Sequence, residues 1–178
     1  MSAKESSIER RSAARLAAVQ ALYEMDMVGA QAEPVLQEFL ERRWSNATPI
    51  DHEDDASDPP ETEEAPKPLP APEQRFLKKL VRGVAEHADS LDEAVSPRLN
   101  GDRASKDLDA LVRSILRAGT FELLHCPDVG ARTVITQYVG LSHAFFAGKE
   151  PALVNVVLDA LAHEIRSEEM AKPAAGSG

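Results

Sequence analysis

Apolar positions spaced by three and four run through most of this chain. The clearest cases are residues 111–124 (LVRSILRAGTFELL), 134–146 (VITQYVGLSHAFF) and 153–165 (LVNVVLDALAHEI), set apart by Cys126-Pro127-Asp128 and Gly148-Lys149-Glu150-Pro151. This spacing puts apolar side chains on one face of a helix. A first helix is predicted over residues 8–27, with Leu16, Val19, Tyr23 and Met27 facing inward and Gly29 as its stop. Residues 1–8 are small and polar and are expected to fray. A second helix is expected over 33–44, with Pro34 in its first turn and Val35, Leu36, Phe39 and Leu40 inward. Residues 73–88 should present Phe76, Leu80, Val84 and Ala88 to the core, leaving Lys78, Lys79 and Arg82 on the surface. A shorter helix over 89–96 would end at Pro97. Residues 106–125 are apolar around most of the helical circumference and predict a central helix packed on several sides. The last helix accepts Pro151 in its first turn and turns Val154, Val157, Leu158, Leu161 and Ile165 inward. No period-2 run of β-branched residues occurs, so the fold class is all-α.

Composition sharpens this picture in two places. The chain has 178 residues, enough for one domain or two tightly packed subdomains, and with aromatics at 4% its core must be built from Ala, Leu and Val. Its net charge is −10, but residues 45–72 hold eight acids against one base, hence −7, which leaves −3 for the remainder. Seven of the twelve prolines lie in that same segment. Like-charge repulsion and the lack of apolar residues predict a disordered, acidic, Pro-rich loop there. The expected organisation is a helical part over 1–44, this loop, the remaining helices over 73–170 and a flexible tail over 171–178. The folded part is then close to neutral and can carry a local basic patch. Cys126 stands alone, which fits a reducing compartment and reads as a buried structural thiol. No apolar run is long enough to span a membrane, and MSAKESSIERR lacks a secretory core, so the expected location is the cytoplasm.

Candidate chemistry is sparse. His52, His87, His125, His143 and His163 fall at no metal-ligand spacing, and no phosphate loop, nucleophile elbow or paired-carboxylate signature occurs. Neither an enzyme, nor a cofactor, nor a small-molecule substrate is expected. Arg11 and Arg15 lie four apart on the first helix beside Arg10, and an arginine fork suits phosphates. With Glu9 among them, these residues fit either a solvated helix surface or an RNA contact. Gln20 lies near enough to read a base edge. Asn155, in a helix of aliphatics, is expected to be half buried and hydrogen-bonded across helices.

Four pieces in order resemble the NusB transcription antitermination family. They are the Arg-rich start with AVQALY (residues 18–23), ILRAGTFEL (115–123), Val134-Ile135 with Ala144-Phe145-Phe146, and VNVVLD (154–159). The resemblance covers most of the chain outside 45–72. It implies two packed three-helix subdomains with the acidic Pro-rich segment inserted. It also implies binding of the boxA element of ribosomal RNA transcripts together with ribosomal protein NusE. That complex, joined to RNA polymerase, promotes readthrough and ribosomal RNA maturation. Carried over residue by residue, the RNA-contacting set is Arg10, Arg11, Arg15 and Gln20, with Lys149 added, and the partner-contacting set is Tyr23 and Arg117. Some positions depart from the family. Thr136-Gln137 stand where an Asn-Glu pair is usual, Val156 replaces a glycine, and Lys149 occupies a loop where an acid is common. Val112 sits where a glutamate often pairs with the protein partner. A related RNA-binding domain precedes some ribosomal RNA methyltransferases, but a chain ending at Gly178 is not expected to carry the catalytic domain. The competing class is a helical protein–protein scaffold with no nucleic-acid role.

Overall fold

The computed structural model describes residues 3–43, 70–99 and 104–172. Among these there are helices and no strands. They are α1 (Ala3–Val28), α2 (Ala32–Glu38, continued by a wider turn over Phe39–Arg43), α3 (Gln74–Val95), α4 (Ala110–His125), α5 (Ala131–Phe145), α6 (Glu150–Ile165) and the short α7 (Ser167–Ala171). Helices α1–α3 form one three-helix unit and α4–α6 the other. Helix α4 lies at their junction, touching α1 and α3 on one side and α5 and α6 on the other. The acidic loop expected over 45–72 lies outside the described residues except for its last three, of which Pro72 is buried. The tail expected over 171–178 is described only to Lys172.

Helix α1 is seated by its smallest side chains. Ala13, Ala14, Ala17, Ala18 and Ala21 are buried with Val19 and Leu22, while Tyr23 and Met27 are exposed and Leu16 is half-buried. The predicted inward stripe of Leu16, Val19, Tyr23 and Met27 is therefore corrected. An alanine face lets α1 approach α3 and α4 closely, and the bulkier residues are turned outward by that close seat. The stop at Gly29 is as predicted: its φ is +67°, and the N–H of Ala30 donates to the carbonyl of Met25 at 3.2 Å.

The two helices predicted over 73–96 are a single helix, α3, bent at His87 (φ −110°, ψ 15°). There the imidazole Nδ1–H donates to the carbonyl of Gly83 at 2.8 Å. A Cβ on Gly83 would lie 2.0 Å from Cζ of Phe121, so α3 and α4 can meet this closely only at a glycine. Helix α4 begins later than predicted. Asp109 caps it, its carboxylate accepting from the N–H groups of Leu111 (2.9 Å) and Val112 (3.4 Å). Its central place holds: Val112, Ile115, Leu116, Ala118, Phe121 and Leu123 are all buried. On α6 the inward stripe is Val154, Val157, Leu158, Leu161 and Ala162, with Ile165 half-buried. Asn155 is exposed rather than half buried between helices, because it falls between the two turns that carry that stripe. Arg166 follows, donating to the carbonyls of Leu123 (2.9 Å), Cys126 (2.9 Å), Glu122 (3.2 Å) and Val129, and so closes the open end of α4.

Candidate nucleic-acid interface

Helix α1 separates the two arginines that its spacing groups. Arg15 is 3% exposed and Glu122, facing it from α4, is 0% exposed. The guanidinium donates from Nε to Oε2 at 3.0 Å and from Nη2 to Oε1 at 2.5 Å, and the hydroxyl of fully buried Tyr138 on α5 donates to Oε2 at 2.9 Å. Burial, with the Glu122 carboxylate beside it, pushes the Tyr138 phenol well above its ordinary value, so it remains a donor. Burial opposes the Arg15 charge, but the two bonds to Glu122 outweigh it and the guanidinium stays charged. Arg15 was expected on the exposed, RNA-facing side. It is instead a strut between the two halves of the molecule, with no donor turned to solvent for a phosphate. Its position shares a stripe with Ala14, Ala18 and Leu22, the face that α1 presses into the core.

Arg11 stays at the rim. Its side chain is 35% exposed, with Nε 3.0 Å from Glu73 and Nη1 3.4 Å from Asp128. The guanidinium carbons of Arg11 and Arg15 lie 5.1 and 5.2 Å from the centre of the Phe76 ring, within cation–π range. Arg10 is exposed and forms no ion pair with another described residue. Its backbone carbonyl accepts from the N–H of Glu73 at 3.0 Å, which ties the start of α3 to α1. Arg11, Glu73, Arg75, Phe76, Lys79 and Asp128 surround a surface cavity of about 330 Å³. The sequence pattern does not single out Arg75 and Lys79. Nothing in the spacing of α3 relates them to Arg11, which is brought to them only by the packing of α1. Lys79 Nζ donates to the backbone carbonyl of His125 at 2.9 Å. Partial burial, then His87 and Lys79, hold the His125 imidazole below its ordinary pKa, so it is neutral at neutral pH.

The remaining candidates do not converge on this end. Lys149 is exposed and lines a different cavity of about 380 Å³ with Asp107, Leu108, Asp109, Val112, Glu150 and Leu153. That cavity lies at the start of α4, whereas Arg11 reaches Asp128 just past its end; sixteen residues of helix span about 24 Å. The expected grouping of Lys149 with the α1 arginines is therefore not present. Gln20 is half-buried on α1, and Tyr23 is 37% exposed one turn further on. Arg117 is committed inside the molecule: Nε and Nη2 donate to Asp92 at 2.8 and 2.6 Å, and Nη1 lies 3.6 Å from Asp26. Asp26 also takes Arg113. Cys126 is buried, as expected of a structural thiol, and burial raises its pKa. Among the described residues no group of three or more His, Cys, Asp or Glu is placed to hold a metal ion, and no helix is long and apolar enough to cross a membrane.

Known proteins of the same shape and sequence agree on one family. The solved NusB structure of T. maritima superposes with a TM-score of 0.66 at 21% identity, covering 91% of this chain and 97% of that one. The solution structure of NusB from Aquifex aeolicus gives 0.61 at 22%, covering 94% and 96%. At such identities these two speak for the fold alone. Sequence relatives reach further. The transcription antitermination protein NusB of Nitrobacter hamburgensis is 40% identical over 163 residues, 92% of each chain. That of Maricaulis maris is 40% identical over 170 residues, covering 93% of this chain and 96% of its own. Residues 12–163 match the NusB family model, and with relatives of this identity along nearly its whole length the chain belongs to the NusB family of transcription antitermination proteins.

Proposed function

We propose that this chain binds boxA RNA of ribosomal RNA transcripts together with ribosomal protein NusE, promoting readthrough by RNA polymerase and ribosomal RNA maturation in the cytoplasm. The observation that carries this reading is the cationic end of α1. Arg10 is exposed without an ion pair among the described residues, and Arg11 sits beside it at the rim, in a chain whose net charge is −10. Positive charge held at one end of an acidic protein is where a polyanion docks with least repulsion. No catalysis is invoked; the chain acts by contact. On the protein side, Tyr23 and Met27 stand one turn apart and exposed, giving NusE an apolar anchor of the kind that binding surfaces use. Arg117 serves there through the Asp92–Asp26 network that shapes the adjoining surface rather than through a free guanidinium.

The test is to mix the purified chain with its own NusE and a boxA oligonucleotide. RNA affinity should be weak and shallow in salt dependence for the chain alone, and clearly higher with NusE present. Capture of NusE with no RNA binding under any condition would favour the scaffold role without nucleic acid. Equal RNA affinity with and without NusE would remove the shared surface.

A further inference from the structure

We infer that the RNA track does not end on α1 but continues across the start of α3 and the end of α4, where Arg75 and Lys79 hold the backbone of a single strand and His125 stacks a base. This rests on the RNA-binding reading above and names the part of the surface that does the binding. Three observations place it. First, Arg75 and Lys79 are exposed, lie one turn apart on the same face of α3, and share a cavity of about 330 Å³ with Arg11. Second, their charges are not spent on the nearby acids. Arg11 bridges Glu73 and Asp128, while Lys79 bonds a backbone carbonyl and Arg75 pairs with no described acid. Third, the strip carries an aromatic face. His125 is exposed and stacks on Phe121 with ring centres 4.6 Å apart and planes at 29°.

Cations that follow a backbone, interleaved with a ring for a base to lie on, form the arrangement that grips single strands without reading sequence. A duplex would offer His125 no unstacked base, so the occupant is a single strand. The track then runs from Arg10 past Arg11 to Arg75, Lys79 and His125. Arg82, further along α3, lies off it, since its Nε and Nη2 are held by the carboxylate of Glu33 on α2 at 2.6 and 2.9 Å.

The experiment titrates a labelled boxA oligonucleotide, and a scrambled one of equal length, against the full chain with NusE at several salt concentrations. Each single-strand phosphate contact contributes about 0.7 to the slope of log K against log salt. Arg75→Ala with Lys79→Ala should therefore flatten the slope by about 1.4, for boxA and scrambled RNA alike, with an unchanged melt. Arg82→Ala should leave the slope unchanged. His125→Ala should weaken binding several-fold and His125→Phe should restore it. A wild-type slope in the Arg75/Lys79 variant, or an equal loss in Arg82→Ala, would overturn the extended track while leaving the α1 site standing. Failure of the wild-type chain to bind either RNA, with NusE present, would bring down the whole reading and this inference with it.

Discussion

Arg11 and Arg15 are one turn apart on α1, carry the same group and approach the same Phe76 ring at 5.1 and 5.2 Å, yet they belong to different parts of the molecule's physics. Arg15 has lost its water and retains its charge because the Glu122 carboxylate accepts two of its hydrogen bonds, a carboxylate to which the Tyr138 hydroxyl donates a third. Arg11 keeps its water, and its contacts to Glu73 and Asp128 are of the exposed kind that contribute about 0–1 kcal/mol. What separates them is one turn of rise, about 6 Å, and a swing of only about 40° around the helix, enough to give them different neighbours. The alanines beside Arg15 bring α4 close enough to close over it. The lesson is that a cationic helix face divides into a part that builds the fold and a part that remains for a partner, and burial decides which is which.

The largest effect should come from breaking the buried pair. Arg15→Ala leaves the Glu122 charge stranded in the interior and should cost about 3–5 kcal/mol in a denaturant melt. Replacing both partners by apolar residues, Arg15→Met with Glu122→Leu, should recover much of that loss. A wild-type melt for Arg15→Ala would end the distinction between the two arginines. Next in size, Arg117 and Asp92 are an intermediate case, their side chains 18% and 23% exposed. Burial raises the Asp92 pKa, but the hydrogen bonds from Arg117 and Ser105 outweigh it and hold the carboxyl below its ordinary 3.8. A depressed carboxylate stabilises the fold above its unfolded pKa and loses that contribution as pH falls through the folded value. The stability gap between wild type and Asp92→Asn should thus be full at neutral pH and shrink below about pH 4. Melts across that range check it; a gap independent of pH would show that Asp92 acts by shape alone. Smaller again, Tyr138→Phe removes one hydrogen bond while Glu122 keeps Arg15, and should cost about 1 kcal/mol.

Much of this was legible in the sequence, and the exceptions have a common cause. The helices, the Gly29 stop, the central place of α4 and the buried thiol all follow from neighbours within a turn or two. The role of Arg15 does not, because its partner is 107 residues away. A signal was nevertheless present: one arginine within an alanine-rich stretch, and one glutamate, Glu122, within the apolar run TFELL. Each is out of place unless it meets the other. The α1 stripe departs from its expectation for a related reason: the small apolar residues, not the large ones, permit the closest approach and are the ones buried. Arg75, Lys79 and Lys149 depend on which helix ends meet, and no local pattern specifies that.

The smallest expected change in stability belongs to Arg10, and it sharpens the comparison most. Its side chain is exposed and it is the backbone carbonyl, not the guanidinium, that receives Glu73. Arg10→Ala keeps that carbonyl and removes only a solvated charge, so the melt should stay within about 0.5 kcal/mol of wild type. RNA binding should respond quite differently. With one phosphate contact gone, the salt slope of boxA binding in the presence of NusE should flatten by about 0.7. Arg15→Ala should do the opposite, lowering stability while the fraction that remains folded binds with an unchanged slope. Measured side by side, melts and salt-dependent titrations place each arginine on one of two axes, folding or binding. If Arg10→Ala alters the melt and spares the slope, the division of α1 into a structural face and a binding end is wrong.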